Sequence, residues 1–150
     1  MGLIADTHGL LRPEAVRALQ GSEVIIHAGD IGKAAVLAAL RTVAPVTAVR
    51  GNVDKGLWAQ RLSRTEFLVI GRVGVFVIHD LQELDIVPEA AGVDVVVSGH
   101  SHQPSLQERN GVIFVNPGSA GPRRFNLPVS LAILHAQGKS VDVRLVTLEV

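Results

Sequence analysis

A valine-rich run over residues 93–98 ends in the stretch Gly99-His100-Ser101-His102. A short apolar run of this kind is typical of a buried strand, and a glycine directly after it lets the chain turn sharply. Two histidines at positions i and i+2 then leave the same end of the strand. Metal binding and a hydrogen-bonded pair of turn histidines explain these four residues equally well. The decision between them depends on what the other strand ends carry.

The same pattern recurs at four other apolar runs, over residues 3–5, 24–28, 46–50 and 73–78. Each run is followed by a side chain that can bind a metal. One such side chain has an ordinary explanation in turn chemistry, but seven of them at five strand ends do not. His27 lies inside its run, so we expect it to pack within the fold and not to bind a metal. The seven candidate ligands are Asp6, His8, Asp30, Asn52, His79, His100 and His102.

The remaining pattern predicts an α/β fold. Pro13 suits the first turn of a helix over residues 14–20. Two-residue connections, Gly71-Arg72 and Asn110-Gly111, predict β-hairpins. Further predicted elements are a helix over 33–41, a helical turn within 55–65, a loose helix over 82–91 that is interrupted at Pro88, and strands over 66–70, 105–109, 112–115, 129–135 and 141–150.

Length and composition limit the class of protein. The 150 residues are expected to form a single domain over 1–150, with 47% hydrophobic but only 3% aromatic residues and no cysteine. The core must then consist of aliphatic side chains, and thiolate chemistry and disulfides are excluded. Absence of cysteine and of a basic leader favours a cytoplasmic location.

Charge and hydropathy argue against two kinds of partner. The formal net charge is zero and basic residues are scattered, so no surface for an extended nucleic acid is expected. No apolar run approaches the roughly 20 residues that a membrane helix needs. The partner expected from these observations is a small molecule.

Ligands in α/β folds bind beyond the carboxyl ends of the strands, so the seven side chains can converge on one crevice. Seven nitrogen and oxygen donors are too many for one tetrahedral ion. They suit two ions about 3.5–4 Å apart that share a carboxylate. Such a pair lowers the pKa of a water and binds the oxygens of a phosphoryl group, so hydrolysis of a phosphate ester is predicted.

In order and spacing, these motifs resemble the calcineurin-like metallophosphoesterase family, and more closely its small bacterial and archaeal phosphodiesterases of the YfcE type. The resemblance rests on the stretches Asp6-Thr7-His8, Gly29-Asp30, Gly51-Asn52-Val53-Asp54, His79 and Gly99-His100-Ser101-His102. It implies a four-layer αββα sandwich of two mixed sheets flanked by helices, with the metals above the strand ends.

Carried over residue by residue, the resemblance assigns two divalent ions to these side chains, with Asp30 as the bridge. Manganese is the expected metal, with iron, zinc, nickel or magnesium as alternatives. Catalytic roles fall on Asn52 and His100, and Asp54 is expected behind the ligands with some acid function. One ion is assigned to Asp6, His8, Asp30 and His102, and the other to Asp30, Asn52, His79 and His100.

The chain departs from the family pattern at two positions. Val53 stands where some members have a histidine that protonates the leaving group or holds the phosphate, and valine can do neither. Asp80 stands where the family commonly has glycine. A carboxylate near an anionic substrate repels it unless it is paired, so an arginine is expected nearby. The candidates for that partner are Arg12, Arg50 and Arg123.

The predicted function is therefore that of a divalent-metal phosphodiesterase acting on a small phosphate ester. Two alternatives stay open. The first is a phosphomonoesterase with the same site. The second is a protein-binding scaffold, because the family includes the retromer subunit of the Vps29 type. Exposed sheet edges in this family also make a homo-oligomer an expectation.

Overall fold

Two five-stranded mixed β-sheets pack face to face. The structure is a computed structural model that describes all of residues 1–150. None of its helices has the length and apolar character required to span a membrane. The strands are β1 (Gly2–Ile4), β2 (Ile25–His27), β3 (Val46–Ala48), β4 (Thr65–Ile70), β5 (Val73–Ile78), β6 (Val95–Val97), β7 (Ser105–Arg109), β8 (Val112–Asn116), β9 (Ser130–Gln137) and β10 (Ser140–Thr147), and the helices are α1 (Pro13–Leu19), α2 (Ala34–Arg41) and α3 (Leu57–Gln60).

Sheet topology brings several strand ends to one edge of the molecule. The first sheet has the order β10-β9-β1-β2-β3, with β1, β2 and β3 parallel to one another. The second has the order β4-β5-β6-β8-β7, with β5, β6 and β8 parallel. Both predicted hairpins are present, β4 with β5 and β7 with β8. Asn110 and Gly111 have φ of 54° and 78°, as a two-residue hairpin turn requires.

The core lies in two main layers, because the central strands are buried on both faces. Between the sheets, Leu3 and Ile26 pack with Val75, Val97 and other residues of the second sheet. On the outer face of the first sheet, alternate strand residues pack against α1 and α2. Burial on both faces explains why these strands read as continuous apolar runs.

The outer face of the second sheet has a thinner cover than predicted. The loose helix expected over residues 82–91 is instead two 3-10 turns, Leu81–Glu83 and Pro88–Ala90. Pro88 disfavours a helical backbone at Val87, which is extended with φ −97° and ψ 100°. The predicted four-layer order around two mixed sheets is confirmed, with turns in place of a helix in the last layer.

Observed strands differ from the predicted runs mainly at their ends. The runs over 24–28, 46–50 and 93–98 shrink to strands of three residues, because the chain turns at once into the segments that carry polar side chains. The three-residue run over 3–5 is observed as a strand that begins one residue earlier, at Gly2. Near the C-terminus, β9 extends beyond residue 135 and β10 ends at Thr147. The two pair around a turn at Gly138, which has φ 63°.

His27 is fully buried and connects the loops that follow β1 and β2. The backbone N–H of Gly29 donates to His27 Nδ1 over 3.2 Å, so the ring proton lies on Nε2. That proton points to the hydroxyl oxygen of Thr7 at 3.0 Å, and the hydroxyl donates to Ile31 O. The prediction that His27 packs within the fold agrees with these contacts.

Truncating one core side chain tests the packing between the sheets. Leu3→Ala is expected to lower the free energy of unfolding by about 2–5 kcal/mol, because Leu3 is fully buried in that layer. Leu57→Ala is the matched control, since Leu57 is 80% exposed, and we expect a change below about 0.5 kcal/mol. Urea unfolding followed by the fluorescence of the single tryptophan, Trp58, measures both. Equal losses in the two variants would contradict the described core.

Burial lowers the pKa of His27 to about 3, which makes a second prediction about stability. The unfolded ring titrates near 6.5, so its stabilising contribution is complete above pH 6.5 and is lost as the pH falls toward 3. The expected slope in this window is about 1.4 kcal/mol per pH unit. The slope of His27→Gln should be smaller than that of wild type by this amount, while the slope of His135→Gln, at an exposed histidine, should equal that of wild type. Urea unfolding of metal-free protein from pH 4.5 to 7.5 measures the difference, and parallel curves for wild type and His27→Gln would refute it.

Candidate metal centre

Five of the seven predicted ligands have a left-handed backbone. The φ angles of these non-glycine residues lie between 47° and 74°, in a region that costs roughly 1–3 kcal/mol and persists only where surrounding contacts hold it. Such strain concentrates at functional sites, because it aims side chains that a relaxed turn would point elsewhere. The five residues are Asp6, His8, Asp30, His100 and His102.

We call Asp6, His8 and His102 the first donor group. The Nε2 atoms of the two imidazoles lie 3.2 Å apart. Asp6 Oδ1 lies 3.9 Å from His8 Nε2 and 3.7 Å from His102 Nε2. The segments after β1 and β6 thus bring three donor atoms around one point.

The second donor group consists of Asp30, Asn52, His79 and His100. His79 Nε2 lies 3.2 Å from Asp30 Oδ2 and 3.0 Å from Asn52 Oδ1. His100 Nδ1 lies 3.2 Å from the same Asn52 oxygen. His79 Nδ1 donates to the carbonyl oxygen of Ala28 over 2.7 Å, and Nε2 faces two acceptor oxygens. That arrangement requires a cation or a proton between these atoms.

Asp30 joins the two donor groups. Its Oδ2 lies 3.2 Å from His79 Nε2 and 3.7 Å from His8 Nε2, so the same oxygen faces both. The other oxygen accepts a hydrogen bond from Val53 N at 3.0 Å, which fixes the orientation of the carboxylate. The position is the one expected for a carboxylate shared by two ions.

A buried carboxylate oxygen that lacks a hydrogen-bond donor shows that the site fits a cation. Burial raises the pKa of Asp6 to about 7, and its Oδ1 has no hydrogen-bond donor although it is buried. Burial and the positive charge of Arg124 lower the pKa of His102 to about 4, so this ring is neutral and keeps a lone pair for a metal. Neutral imidazoles with carboxylates suit Mn²⁺, Fe²⁺, Zn²⁺ and similar ions.

The carboxyl groups of Asp30 and Asp6 differ in the hydrogen bonds that offset the cost of burying a negative charge. Burial alone would raise the pKa of Asp30, but hydrogen bonds from His79 and from Val53 N outweigh it and lower that pKa below its usual value. Asp6 accepts only the backbone N–H of His100, at 3.1 Å, on its other oxygen. Asp30 is therefore ionised in the protein itself, whereas Asp6 depends on a cation near neutral pH.

Asp54 lies behind the ligands, with 5% of its surface exposed. Its oxygens accept the backbone N–H groups of Gly32 at 2.9 Å and Gly51 at 2.8 Å. The residue therefore connects the turns after β2 and β3. The expected position behind the ligands agrees with this geometry, and the acid function of Asp54 stays a prediction.

Two residues for which the sequence indicated no firm role support the site, Asn116 and Ser119. Asn116 Nδ2 donates to Gly99 O at 2.9 Å and thereby holds the turn that carries both histidines. Ser119 Oγ donates to Asp6 O at 3.0 Å. The only sequence signal was the position of residues 116–119 directly after a strand end, the same signal that revealed the ligands.

Of the three arginines considered as neighbours of Asp80, Arg50 lies beside it, whereas Arg12 and Arg123 do not. Arg50 and Asp80 line one cavity beside the second donor group, together with Arg64, which the sequence did not suggest. Arg12 instead donates to Gly121 O at 2.9 Å. Near the first donor group, the charge of Arg124 lowers the pKa of His102, and Arg123 does not contribute.

Asp80 holds the turn that follows β5 and lies near His100. Its Oδ1 accepts the backbone N–H of Gln82 at 3.0 Å and begins the first 3-10 turn. Its Oδ2 lies 3.8 Å from His100 Nε2, opposite the Nδ1 atom that faces Asn52. A carboxylate on the outer nitrogen of a ligating histidine favours the tautomer whose inner nitrogen is free.

Comparison with solved structures shows the same fold. Vacuolar protein sorting 29 from Cryptosporidium parvum superposes with a TM-score of 0.84 at 20% identity, over 99% of this chain and 90% of that one. An archaeal phosphodiesterase gives 0.80 at 22% identity, over 97% and 98%. Vps29 from Entamoeba histolytica, solved in complex with zinc, gives 0.75 at 25% identity, over 97% of both chains. The same fold thus occurs in a phosphodiesterase and in a vacuolar protein sorting protein.

Sequence comparison identifies the family. A protein of Methanothermobacter thermautotrophicus described as a probable metallophosphoesterase is 35% identical over 157 residues, which cover 97% of this chain and 91% of the relative. The family model described as the calcineurin-like phosphoesterase superfamily domain matches residues 1–139. That family implies divalent metal ions and phosphate-ester substrates. The resemblance noted in the sequence is therefore confirmed: the chain belongs to the calcineurin-like phosphoesterase superfamily.

Proposed function

We propose that this protein is a phosphodiesterase that needs two divalent cations and hydrolyses a small phosphate ester. The observation that carries the proposal is the pair of donor groups on separate strand ends, joined by one oxygen of Asp30. Membership in a phosphoesterase family and similarity to an archaeal phosphodiesterase support it.

The residues divide into two sets of four, with Asp30 in both. Asp6, His8 and His102 would hold one ion with Asp30, and Asn52, His79 and His100 would hold the other. Manganese is the metal that we expect, and iron, zinc, nickel and magnesium are the alternatives. When bound, two such ions lower the pKa of a water and neutralise the charge that develops on a phosphoryl group during in-line displacement.

The chain's own groups define how the substrate is held. Asn52 directs its oxygen at His79 and His100, so its amide N–H₂ faces away from them and is free to donate to a phosphoryl oxygen. Val53 is 41% exposed at the mouth of the site and offers no proton to a leaving group. The site is therefore suited to esters whose leaving group departs without a proton donor from position 53.

A scaffold function is the second candidate, because Vps29 proteins share the fold with TM-scores up to 0.84. The zinc complex of the Entamoeba histolytica protein means that bound metal alone does not separate the two candidates. What distinguishes them is turnover of a phosphate ester by protein with verified metal content.

The substrate preference is our third prediction. With added manganese, we expect a higher kcat/KM for bis(p-nitrophenyl) phosphate than for p-nitrophenyl phosphate, in line with the similarity of the fold to that of an archaeal phosphodiesterase. Release of p-nitrophenol measures both reactions. A higher kcat/KM for the monoester would make the protein a phosphomonoesterase, and no turnover of either at full metal occupancy would favour the scaffold.

The shared carboxylate gives a fourth prediction. Asp30→Asn should weaken manganese binding in both donor groups and lower kcat/KM for the diester by at least about 100-fold, since even outer partners of metal ligands are worth 10–100-fold. Asp85→Asn is the control, because Asp85 is an exposed aspartate outside the site. Calorimetric titration with Mn²⁺ measures binding. Retention of two manganese sites in Asp30→Asn would exclude Asp30 as the bridge.

A further inference from the structure

A small polar cavity adjoins the second donor group. It has a volume of about 60 Å³ and no hydrophobic residue in its lining. Asn52, His79 and His100 form one side, whereas no member of the first donor group contributes. A phosphoryl group that is bound by both donor groups must lie over Asp30, where the two meet. The cavity therefore lies to one side of the reacting group, where another part of the substrate would be placed.

Two arginines, Arg50 and Arg64, line the cavity together with these members of the donor group. They come from different segments, one following β3 and the other preceding β4. The backbone N–H of Arg50 donates to Ser63 O at 2.9 Å, which fixes the two segments side by side. The fold itself thus brings two guanidinium groups to one cavity.

Neither guanidinium has a partner within the protein. Among the arginines, only Arg17 forms an ion pair, with Glu14, and only Arg12 donates a side-chain hydrogen bond. Arg50 is half-buried, so its charge is only partly hydrated. Two like charges that line one small cavity repel each other, and an anion bound in the cavity lowers that cost. A planar fork of N–H donors suits a carboxylate or a phosphate.

The two carboxylates of the same cavity do not fill this role. Asp80 directs one oxygen at the backbone N–H of Gln82 and the other at His100. Glu83 is exposed and lies more than 4.0 Å from either guanidinium, since it forms no ion pair. The arginine side of the cavity is therefore free for a ligand.

We infer that Arg50 and Arg64 bind a second anionic group of the substrate, a carboxylate or a phosphate, while the reacting phosphoryl group is bound at the donor groups. The inference rests on the proposed function and narrows its substrate class to small phosphate esters that carry another anion a few bonds from phosphorus. A carboxylate or a phosphate is small enough to enter a cavity of this kind.

Two phosphonates of similar size test this subsite by calorimetry on manganese-loaded protein. Phosphonoacetate carries a carboxylate, and ethylphosphonate carries a methyl group in its place. We expect wild type to bind phosphonoacetate at least about 10-fold more tightly, which corresponds to about 1.4 kcal/mol. In Arg50→Gln/Arg64→Gln, and to a lesser extent in Arg64→Gln alone, this ratio should fall toward one, with the Kd of ethylphosphonate unchanged. Arg72→Gln, at an exposed arginine of the β4–β5 turn, should keep the ratio of wild type.

Each other outcome has a defined meaning. Equal affinities in wild type would overturn the subsite and leave the proposed function intact. A ratio that survives in the double variant would show that the metals bind the carboxylate, and equal weakening of both ligands would place the arginines on the phosphoryl group. Both results overturn the inference. Failure of both phosphonates to bind would contradict the proposed function and the subsite together. Because Arg64 is exposed, the single variant Arg64→Gln still tests the subsite if the change at Arg50 impairs folding.

Discussion

The structure depends on acceptor atoms that face one another at the edge where the two sheets meet. His8 Nε2 and His102 Nε2 lie 3.2 Å apart, and Asp6 carries a buried oxygen without a donor. In a protein interior a carboxylate oxygen without a donor costs several kcal/mol unless positive charge lies beside it. The two sheets place these atoms there because parallel strands of both end at the same edge. A divalent cation converts this local cost into binding energy, so the fold is prepared for a metal.

The backbone around the donor groups maintains their geometry. Asp6 N and His8 N donate to Gly29 O and Asp30 O, which connects the strained turns after β1 and β2. Gly51 allows a close approach, because a Cβ at this position would collide with the backbone and carboxylate of Asp30. The left-handed residues are therefore held by neighbouring turns and not by their own preference.

The sequence predicted what depends on local pattern. Runs of valine and isoleucine marked the strands, and the side chains just beyond them marked the donor groups that the structure brings together. Arg64 and Asn116 escaped prediction because their contacts are made with distant segments, through Ser63 O to Arg50 and through Gly99 O to the histidine turn. The helix predicted over 82–91 was wrong because one proline divided a weak pattern into two short turns. Local periodicity determines which strands form, whereas the packing of separate loops decides which arginines reach the site.

The departures from the family pattern lie on one side of the centre and are connected. Val53 removes a proton donor from the mouth, and Asp80 adds a carboxylate beside His100. The unpaired guanidinium groups of Arg50 and Arg64 lie on that same side. With a histidine at position 53, the substrate could be held by a contact near the reacting bond. Valine offers no such contact. If Arg50 and Arg64 bind a second anion as we infer, charge at a distance from phosphorus orients the substrate, and selectivity for the rest of the ester replaces assistance to its leaving group.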